Sequence, residues 1–195
     1  MAFIRHKDAT PVPSPAAADD GYLDAARDAV LSVGWSRTTL TDIARRAGVS
    51  RMTLYRRFPD LETVLAALMT REFGRLVEEA RAAGHAAATC RERAVSMVTL
   101  AAERLHADPL FDRLLDVDPE LLLPYVTLRL GGMQRMAVAG LAAELQEDDG
   151  SVRDGDPEVL ARGVELMARG FVLARDPGID AWAELSRAVD GYLRP

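Results

Sequence analysis

The chain has 195 residues, of which 49% are hydrophobic and 6% aromatic, and its formal net charge at pH 7 is −6. This length is sufficient to bury a hydrophobic core, and the dominance of Ala, Leu and Arg favours helices over strands. Neither a secretory signal nor the roughly 18 apolar residues of a membrane span is present, and the single cysteine, Cys90, excludes an internal disulfide. We therefore expect an all-α protein of the cytoplasm with no membrane partner.

The charge is distributed unevenly along the chain. Residues 37–57 contain six arginines and one acidic residue, a local net charge of +5, whereas residues 76–195 contain 13 basic and 21 acidic residues. A basic island on an acidic body is typical of a protein that contacts phosphate groups through one small face. A solvated arginine-rich surface would produce the same pattern.

The first predicted elements are a tail and a helix. Residues 1–19 are rich in Pro and Ala without helical periodicity and predict a flexible tail. A basic arm that contacts a DNA groove through Arg5, His6 and Lys7 is the alternative. The first helix is predicted over residues 20–33, and Gly34 ends it. Trp35 is expected to pack in the core.

Two short helices separated by a tight turn follow. The second is predicted to begin at Thr39, which has capping-box spacing with the residue three positions later, and to end at Gly48. The third is predicted over residues 51–58, with Ser50 as its N-cap, and a fourth follows Asp60. A helix, a turn containing glycine and a short arginine-rich helix form the helix-turn-helix pattern.

Residues four positions apart divide the surface of the third helix into stripes. Leu54 and Phe58 form an apolar stripe, which is expected to dock on the first two helices. A helix held by this stripe fits the major groove, which is about 12 Å wide. The other stripes pair Arg51 with Tyr55, Met52 with Arg56, and Thr53 with Arg57.

The chemistry of these side chains predicts their roles on DNA. Arg51 and Arg56 can each form a bidentate pair with guanine, and Tyr55 can contact a phosphate or a thymine methyl group. Thr53 and Arg57 lie on the flank, where they are placed for phosphates. Thr39 can direct its hydroxyl at another phosphate, or it can act only as a helix cap.

The remainder of the chain is also predicted to be helical, over residues 86–107, 109–116, 119–147 and 157–175, with a last helix from Asp180. Asp108, Asp118 and Asp156 each precede a proline, an arrangement that suits a capping residue and the first helical position. Pro124 would disturb the third of these segments, so its helix could begin there. Residues 148–156 predict a polar loop.

Six short motifs are spaced along residues 20–68. They are Leu23-Asp24-Ala25-Ala26, Gly34-Trp35, Thr38-Thr39-Leu40, Asp42-Ile43-Ala44, Ala47-Gly48-Val49-Ser50 and Thr53-Leu54-Tyr55-Arg56-Arg57-Phe58. Through these motifs, residues 20–68 resemble the DNA-binding domain of TetR-family regulators. The resemblance implies an all-α fold, with an N-terminal three-helix helix-turn-helix DNA-binding domain at residues 16–76 and a C-terminal helical ligand-binding and dimerisation domain at residues 77–195.

The resemblance also implies a function. A member of this family is expected to be a homodimeric transcriptional regulator of a palindromic double-stranded DNA operator, usually a repressor that a small-molecule effector releases. Two positions depart from the pattern: Leu61 replaces a common lysine, and Val30 replaces a bulky aromatic residue for which Trp35 can compensate. By resemblance, base contacts fall on Arg51, Met52, Tyr55 and Arg56, and backbone contacts on Thr39, Thr41, Thr53 and Arg57.

The last two predicted helices carry the expected dimer interface. The helix over residues 157–175 is apolar on two sides, and one side contains Gly163, Leu166 and Gly170. A glycine inside a helix costs about 1 kcal/mol relative to alanine, which close approach of another helix could offset. Together with Trp182, Leu185 and Val189 of the last helix, these residues predict a dimeric four-helix bundle. A core internal to one protomer is the alternative.

A ligand pocket is expected between the helices of residues 86–147. Its candidate residues combine adaptable apolar side chains with a few polar groups, although each would also suit an ordinary core. They are Met97, Leu100, Arg104, Phe111, Tyr125, Arg129, Met133 and Met136.

The sequence does not predict an enzyme. Its three histidines, at positions 6, 85 and 106, do not have metal-ligand spacing, and neither a nucleophile elbow nor a phosphate-binding loop is present. We therefore expect no catalytic residues, no metal and no cofactor. The alternative function is that of a small-molecule-binding helical protein whose helix-turn-helix contacts other proteins instead of DNA.

Overall fold

The computed structural model describes residues 15–121, 131–147, 149–173 and 178–195. Within these ranges the chain is helical and has no strands, which confirms the predicted all-α class. The helices are α1 (Pro15–Val33), α2 (Leu40–Arg46), α3 (Arg51–Arg57), α4 (Leu61–Gly84), α5 (Cys90–His106), α6 (Pro109–Val117), α7 (Gly132–Leu145), α8 (Pro157–Leu173) and α9 (Ala181–Leu193), with a 3-10 turn at Pro119–Leu121. None of these helices is long and apolar enough to cross a membrane.

Side-chain caps confirm most of the predicted helix starts. Thr39, Ser50, Asp60 and Asp180 each accept a hydrogen bond from the backbone N–H three residues later. Asp108 caps α6 in the same way, through the N–H groups of the second and third residues that follow it. These boundaries are predictable because a cap is a local interaction within four residues of the chain.

The helix α1 begins earlier than expected. It starts at Pro15, so that residues 15–19 of the predicted tail are helical. Proline suits the first position of a helix, and the three alanines that follow have the highest helix propensity. Residues 1–14, including Arg5, His6 and Lys7, lie outside the described residues.

The helix α5 begins later than expected, at Cys90. A capping box sets this start, since Thr89 accepts a hydrogen bond from the Glu92 N–H and the Glu92 carboxylate accepts one from the Thr89 N–H at 3.1 Å. The predicted segment 119–147 contains the 3-10 turn and then α7, at whose start the side chain of Gln134 accepts a hydrogen bond from the Gly131 N–H. Pro124 lies outside the described residues.

Two hydrophobic clusters form the core. The first joins α1, α2, α3 and the first half of α4, and it includes Trp35, as predicted. The second joins α5, α7, α8 and α9. Helix α4 supplies Leu68 to the first cluster and Ala80 to the second, so the domain boundary expected between residues 76 and 77 falls inside one continuous helix.

Candidate nucleic-acid interface

A tight turn fixes α3 against α2. Gly48 has φ +68°, a left-handed conformation that glycine adopts without steric cost. The N–H of Val49 then donates to the carbonyl of Ala44 at 3.0 Å, which closes the turn. Ser50 follows as the N-cap of α3. The four residues between the two helices therefore set a defined angle between them, as in a helix-turn-helix unit.

The apolar stripe of α3 docks as predicted. Leu54 and Phe58 are only 0% and 2% exposed. The ring of Tyr22, on α1, meets the Phe58 ring edge-on, with 6.5 Å between the centroids. Because this stripe is buried, the orientation of α3 about its own axis is fixed.

The opposite face of α3 is open. The side chains of Arg51, Arg56 and Arg57 are exposed, and Met52 is 71% exposed. An exposed methionine suits apolar contact with a base, such as the methyl group of thymine. The predicted base-contacting and phosphate-contacting residues of α3 thus share one accessible surface, on which Thr53 and Tyr55 are half-buried.

Arg51 and Tyr55 form a pair on this surface. The guanidinium Nη2 of Arg51 donates to the Tyr55 hydroxyl at 3.0 Å, and its Cζ lies 5.0 Å from the ring centroid. The two residues are one helical turn apart, and the cation–π contact adds to the hydrogen bond. The pair reduces the number of conformations that either side chain samples.

Arg57 is held by a residue outside the helix-turn-helix. Its Nε and Nη2 donate to the two carboxylate oxygens of Asp19, on α1, at 2.7 Å each. These hydrogen bonds hold the pKa of Asp19 below its usual value and raise that of Arg57. The sequence could not predict this contact, because the two residues are 38 positions apart and Asp19 belonged to the predicted tail.

The threonines that were predicted to contact the DNA backbone lie at the starts of helices. Thr39 accepts from the Asp42 N–H at 3.1 Å and donates to its carboxylate at 2.8 Å, which lowers the pKa of Asp42. The Thr53 and Ser50 hydroxyls are 2.8 Å apart. Both Thr39 and Thr41 are exposed near the N-terminus of α2. Thr39 makes its cap as an acceptor, so it could donate its hydroxyl to a phosphate in place of the Asp42 carboxylate and still cap α2.

A cavity of about 620 Å³ lies among α4, α5, α6, α7 and α8. Of the predicted ligand residues, Met97, Phe111 and Met133 line it. Leu100, Arg104 and Met136 are not among its lining residues, and Arg104 is exposed, 3.8 Å from the carboxylate of Glu79. Tyr125 and Arg129 lie outside the described residues.

The sequence prediction missed the walls that α4 and α8 contribute. On α4 the lining residues include Leu65, Met69, Phe73 and Val77, which recur every four residues and therefore share one helix face. On α8 the lining includes Val164. The four-residue period of α4 is a signal in the sequence from which this wall could have been predicted.

Helix α6 connects the cavity to the helix-turn-helix unit. Phe111 packs in the second cluster, whereas Leu110 and Leu114 pack in the first, and both Phe111 and Leu114 line the cavity. The helix therefore has one side in each core. Because packed cores are not continuously deformable, a displacement of α6 must change the packing of both clusters.

Asp118, at the end of α6, is not the helix cap that its Asp-Pro pattern predicts. Its buried carboxylate accepts hydrogen bonds from the N–H of Trp35 at 2.7 Å, from the N–H of Ser36 at 3.1 Å and from the Ser36 hydroxyl. Burial raises the pKa of Asp118, but these hydrogen bonds outweigh that effect and leave the pKa below its usual value. The carboxylate turns to the loop after α1 because that loop offers three donors.

Gly34 permits this approach. It has φ +87°, and a Cβ added there would lie 2.9 Å from the Val117 side chain and 3.2 Å from the Asp118 carboxylate. A larger residue would combine backbone strain with a steric clash. Gly34, which ends α1, is therefore also the residue at which α1 contacts the end of α6.

The structure corrects part of the predicted dimer interface. Leu185 and Val189 are fully buried within the protomer, so they cannot contact a partner. Gly163 does allow a close approach, but the neighbour is Tyr192 of the same chain, whose ring would overlap an added Cβ. Trp182 is half-buried, with its ring 5.3 Å from that of His106.

Leu166 and Gly170 are exposed, unlike Leu185, Val189, Gly163 and Trp182. Leu166 is 57% exposed, and Gly170 is exposed with no described atom within 4 Å of an added Cβ. Val159, which was not predicted, is 63% exposed on the same face of α8. Residues 159, 166 and 170 are spaced by seven and four positions, so they form one stripe.

Comparisons with known proteins agree with this geometry. The sequence model described as "Bacterial regulatory proteins, tetR family" matches residues 23–68. An uncharacterised HTH-type transcriptional regulator of Mycobacterium tuberculosis is 38% identical over 186 residues, which span 90% of this chain and 95% of the relative. The HTH-type transcriptional regulator AlkX of the same organism is 30% identical over 176 residues, or 89% and 83% of the two chains.

A solved structure has the same fold. The TetR-family transcriptional repressor QsdR of R. erythropolis aligns over 92% of this chain and 96% of its own, with a TM-score of 0.68 and 16% sequence identity.

Proposed function

Since the chain belongs to the TetR family of DNA-binding transcriptional regulators, we propose that it is a homodimeric repressor of a palindromic operator. The observation that carries this proposal is the open face of α3, which presents Arg51, Met52, Arg56 and Arg57 while Leu54 and Phe58 anchor the helix. In this arrangement Arg51 and Arg56 read base edges in the major groove, and Arg57 and Thr53 contact phosphates.

The proposed dimer forms through α8 and α9. The stripe of Val159, Leu166 and Gly170 supplies apolar surface on α8, and Gly170 leaves room for a neighbouring helix. An exposed apolar stripe of this kind is typical of a surface that a partner covers. Two copies of α8 and α9 related by a two-fold axis would make a four-helix bundle and place two α3 helices on successive half-sites.

A small molecule in the cavity is the proposed effector. The lining is mainly apolar with a few polar groups, which is the usual character of a ligand site. Helix α6 supplies Phe111 to the cavity, and its end holds the loop after α1 through Asp118. A ligand that displaces α6 would therefore shift α1 and α2 relative to each other and change the position of α3.

The experiment has two parts. Genomic DNA fragments bound by the protein are sequenced to identify the operator, and binding is then compared between that operator and a scrambled duplex. Weak binding that does not depend on sequence would support the alternative, a helix-turn-helix that contacts proteins. Calorimetric titration of apolar compounds with and without operator tests regulation, because an effector that lowers operator affinity must itself bind the operator complex more weakly.

A further inference from the structure

We infer that Met52 recognises the C5 methyl group of a thymine in each operator half-site, about two base pairs from the guanine that Arg56 contacts. This inference rests on the proposed function and specifies a chemical group that the operator must present. It follows from the position of Met52 around the axis of α3 and from the contacts that the neighbouring residues make.

The stripe of Met52 and Arg56 is the most outward part of α3. Successive residues of a helix are rotated by about 100°, so this stripe lies about 160° around the helix axis from the buried stripe of Leu54 and Phe58. The other two stripes lie only about 60° and about 100° from the buried one. Both Met52 and Arg56 are exposed. They are therefore the residues that would lie deepest in a groove that receives this helix.

The two neighbouring stripes are held by contacts within the protein. Arg51 donates to the Tyr55 hydroxyl at 3.0 Å, and Arg57 binds the carboxylate of Asp19. Tyr55, which could also contact a methyl group, is half-buried, and the Arg51 guanidinium lies over its ring. Met52, by contrast, is 71% exposed. It is therefore the apolar side chain that α3 presents most openly to a base.

The chemistry of the major groove identifies what such a side chain recognises. Base edges in this groove present hydrogen-bond donors and acceptors, and thymine adds an apolar group, its C5 methyl. The side chain of Met52 has no donor, and its sulfur is only a weak acceptor. It gains most from contact with an apolar surface, and its flexibility lets it adapt to the position of the methyl group.

The spacing of the two contacts follows from the geometry of the two helices. Met52 and Arg56 are four residues apart, which corresponds to about 6 Å along α3. Successive base pairs are about 3.4 Å apart along DNA. When α3 lies along the groove, the thymine is therefore about two base pairs from the guanine of Arg56.

Replacement of thymine by uracil tests the methyl contact, because uracil differs from thymine only in lacking this methyl group. The operator identified from genomic fragments is altered at one thymine at a time, at equivalent positions of both half-sites. Fluorescence anisotropy with the full-length protein measures the affinity. We expect one replacement to lower it about fourfold per half-site, the effect of one buried methyl group. If no thymine of the half-site shows such a loss, the inference is wrong.

Variants of Met52 assign the contact to this side chain. In Met52→Ala, the operators with thymine and with uracil at the sensitive position should bind equally. Met52→Gln, which has a similar length and a polar end, should also lose the difference, whereas the apolar variant Met52→Leu should retain it. A difference that persists in Met52→Ala and disappears in Tyr55→Ala would assign the contact to Tyr55 and overturn the inference.

Methylated cytosine provides an independent measurement. A G·C pair is placed at the sensitive position, with or without a methyl group at C5 of the cytosine, so that the two duplexes differ only in that group. The methylated duplex should bind the wild-type protein about fourfold more tightly per half-site, and it should show no advantage in Met52→Ala. Equal affinities in the wild-type protein would mean that thymine is recognised through its O4 atom, which would overturn the inference.

The outcomes separate this inference from the proposed function. If the protein prefers its operator to a scrambled duplex but no methyl group affects affinity, the proposed function is supported and the inference is wrong. If binding does not depend on sequence, both are wrong. The guanine whose preference Arg56→Ala relaxes tests the spacing, and a sensitive thymine more than about four base pairs from it would contradict the placement of Met52 and Arg56 on one stripe.

Discussion

The carboxylate of Asp118, at the end of α6, accepts a 2.7 Å hydrogen bond from the backbone N–H of Trp35, in the loop that follows α1. The two residues are 83 positions apart, and both are buried. The contact joins the helix that lines the cavity to the loop that leads into the DNA-binding helices. It gives the two halves of the protein a specific polar connection in addition to the apolar residues that α4 and α6 supply to both clusters.

Removal of the Asp118 charge should destabilise the protein. In Asp118→Asn the amide NH₂ group faces donors that the carboxylate satisfied, and a buried N–H left without an acceptor costs about 1–3 kcal/mol. Ser36→Ala removes only the hydroxyl donor and should cost about 0.5–1.5 kcal/mol. Urea unfolding followed by circular dichroism measures both changes, and Glu120→Gln, at an exposed position nearby, is the control.

If Asp118→Asn loses no more unfolding free energy than the control variant does, the contact with Trp35 is not stabilising.

The same variant also tests whether a change in the cavity is transmitted to the DNA-binding helices. If α6 acts through Asp118, the variant should retain its ligand affinity while the ligand lowers operator affinity less than it does in the wild-type protein.

The stability that Asp118 provides should depend on pH. Its pKa in the folded protein lies below the ordinary 3.8 because three hydrogen bonds outweigh the effect of burial. A lowered folded-state pKa means that the contribution is complete above the unfolded-state pKa and is lost as the pH falls through the folded-state pKa. The difference in unfolding free energy between wild type and Asp118→Asn should therefore narrow below about pH 4. A difference that is constant from pH 6 to about pH 3 would contradict this assignment.

Local interactions account for what the sequence predicted well. Ser50 and Asp60 cap helices through bonds that span three residues, and the spacing of Leu54 and Phe58 identifies the buried stripe of α3 without further information. The exposed surface of α3 follows from that stripe, because burial of one side of a short helix determines which residues its other sides present.

Long-range packing accounts for what was missed. Asp118 has the same Asp-Pro pattern as Asp108, yet it bonds to a loop 82 and 83 residues away, and only the packing of α6 on α1 brings the two together. Similarly, Leu166 and Leu185 are both apolar residues of amphipathic helices, but one is exposed and the other fully buried. Periodicity identifies an apolar face and does not distinguish an internal core from a surface that a second protomer covers.

The exposed stripe of α8 should be required for assembly. Gly170→Glu places a charge where the proposed partner helix approaches, and an unpaired charge in an apolar interface is costly. We expect monomers or aggregates by light scattering, with helical content retained. Gly21→Glu is the matched control, since Gly21 is also a helical glycine with no described atom within 4 Å of an added Cβ. A well-folded dimer in both variants would exclude this face from the interface.

Asp19 should weaken DNA binding by competing for Arg57. The carboxylate holds both Nε and Nη2 of Arg57, and it also places a negative charge beside the surface that we propose to contact phosphates. Asp19→Asn should therefore raise the affinity for DNA of any sequence roughly twofold to fivefold at low salt, a range that corresponds to an exposed ion pair. Fluorescence anisotropy with operator and scrambled duplexes measures the change.

The control for this prediction is Asp20→Asn, which removes the same charge one residue away. Asp20 pairs with Arg71 of α4 at 3.6 Å and does not contact Arg57. An equal gain in both variants would indicate a general effect of net charge. A loss of affinity in Asp19→Asn alone would indicate that Asp19 orients Arg57 for its phosphate.

The division of roles on α3 makes the most specific prediction. Arg51→Ala and Arg56→Ala should each cost about 1–3 kcal/mol in operator binding and relax the preference at one base pair per half-site, because each removes a guanine contact. Arg57→Ala should weaken binding to all sequences alike and reduce the salt dependence by about one unit per half-site, because it removes a phosphate contact. Binding of each variant to single-base operator variants at several salt concentrations distinguishes the two classes.

Tyr55→Phe refines the interpretation of Arg51. This variant keeps the ring, 5.0 Å from the Arg51 guanidinium, and removes the hydroxyl that accepts the 3.0 Å hydrogen bond. If the pair orients Arg51 for its base, Tyr55→Phe should relax preference at the same base pair as Arg51→Ala, but to a smaller extent.

A uniform loss of affinity in Arg51→Ala and Arg56→Ala, with base preference unchanged at every position, would instead mean that α3 holds DNA only through its charge. The sequence preference would then have to arise from the shape of the operator.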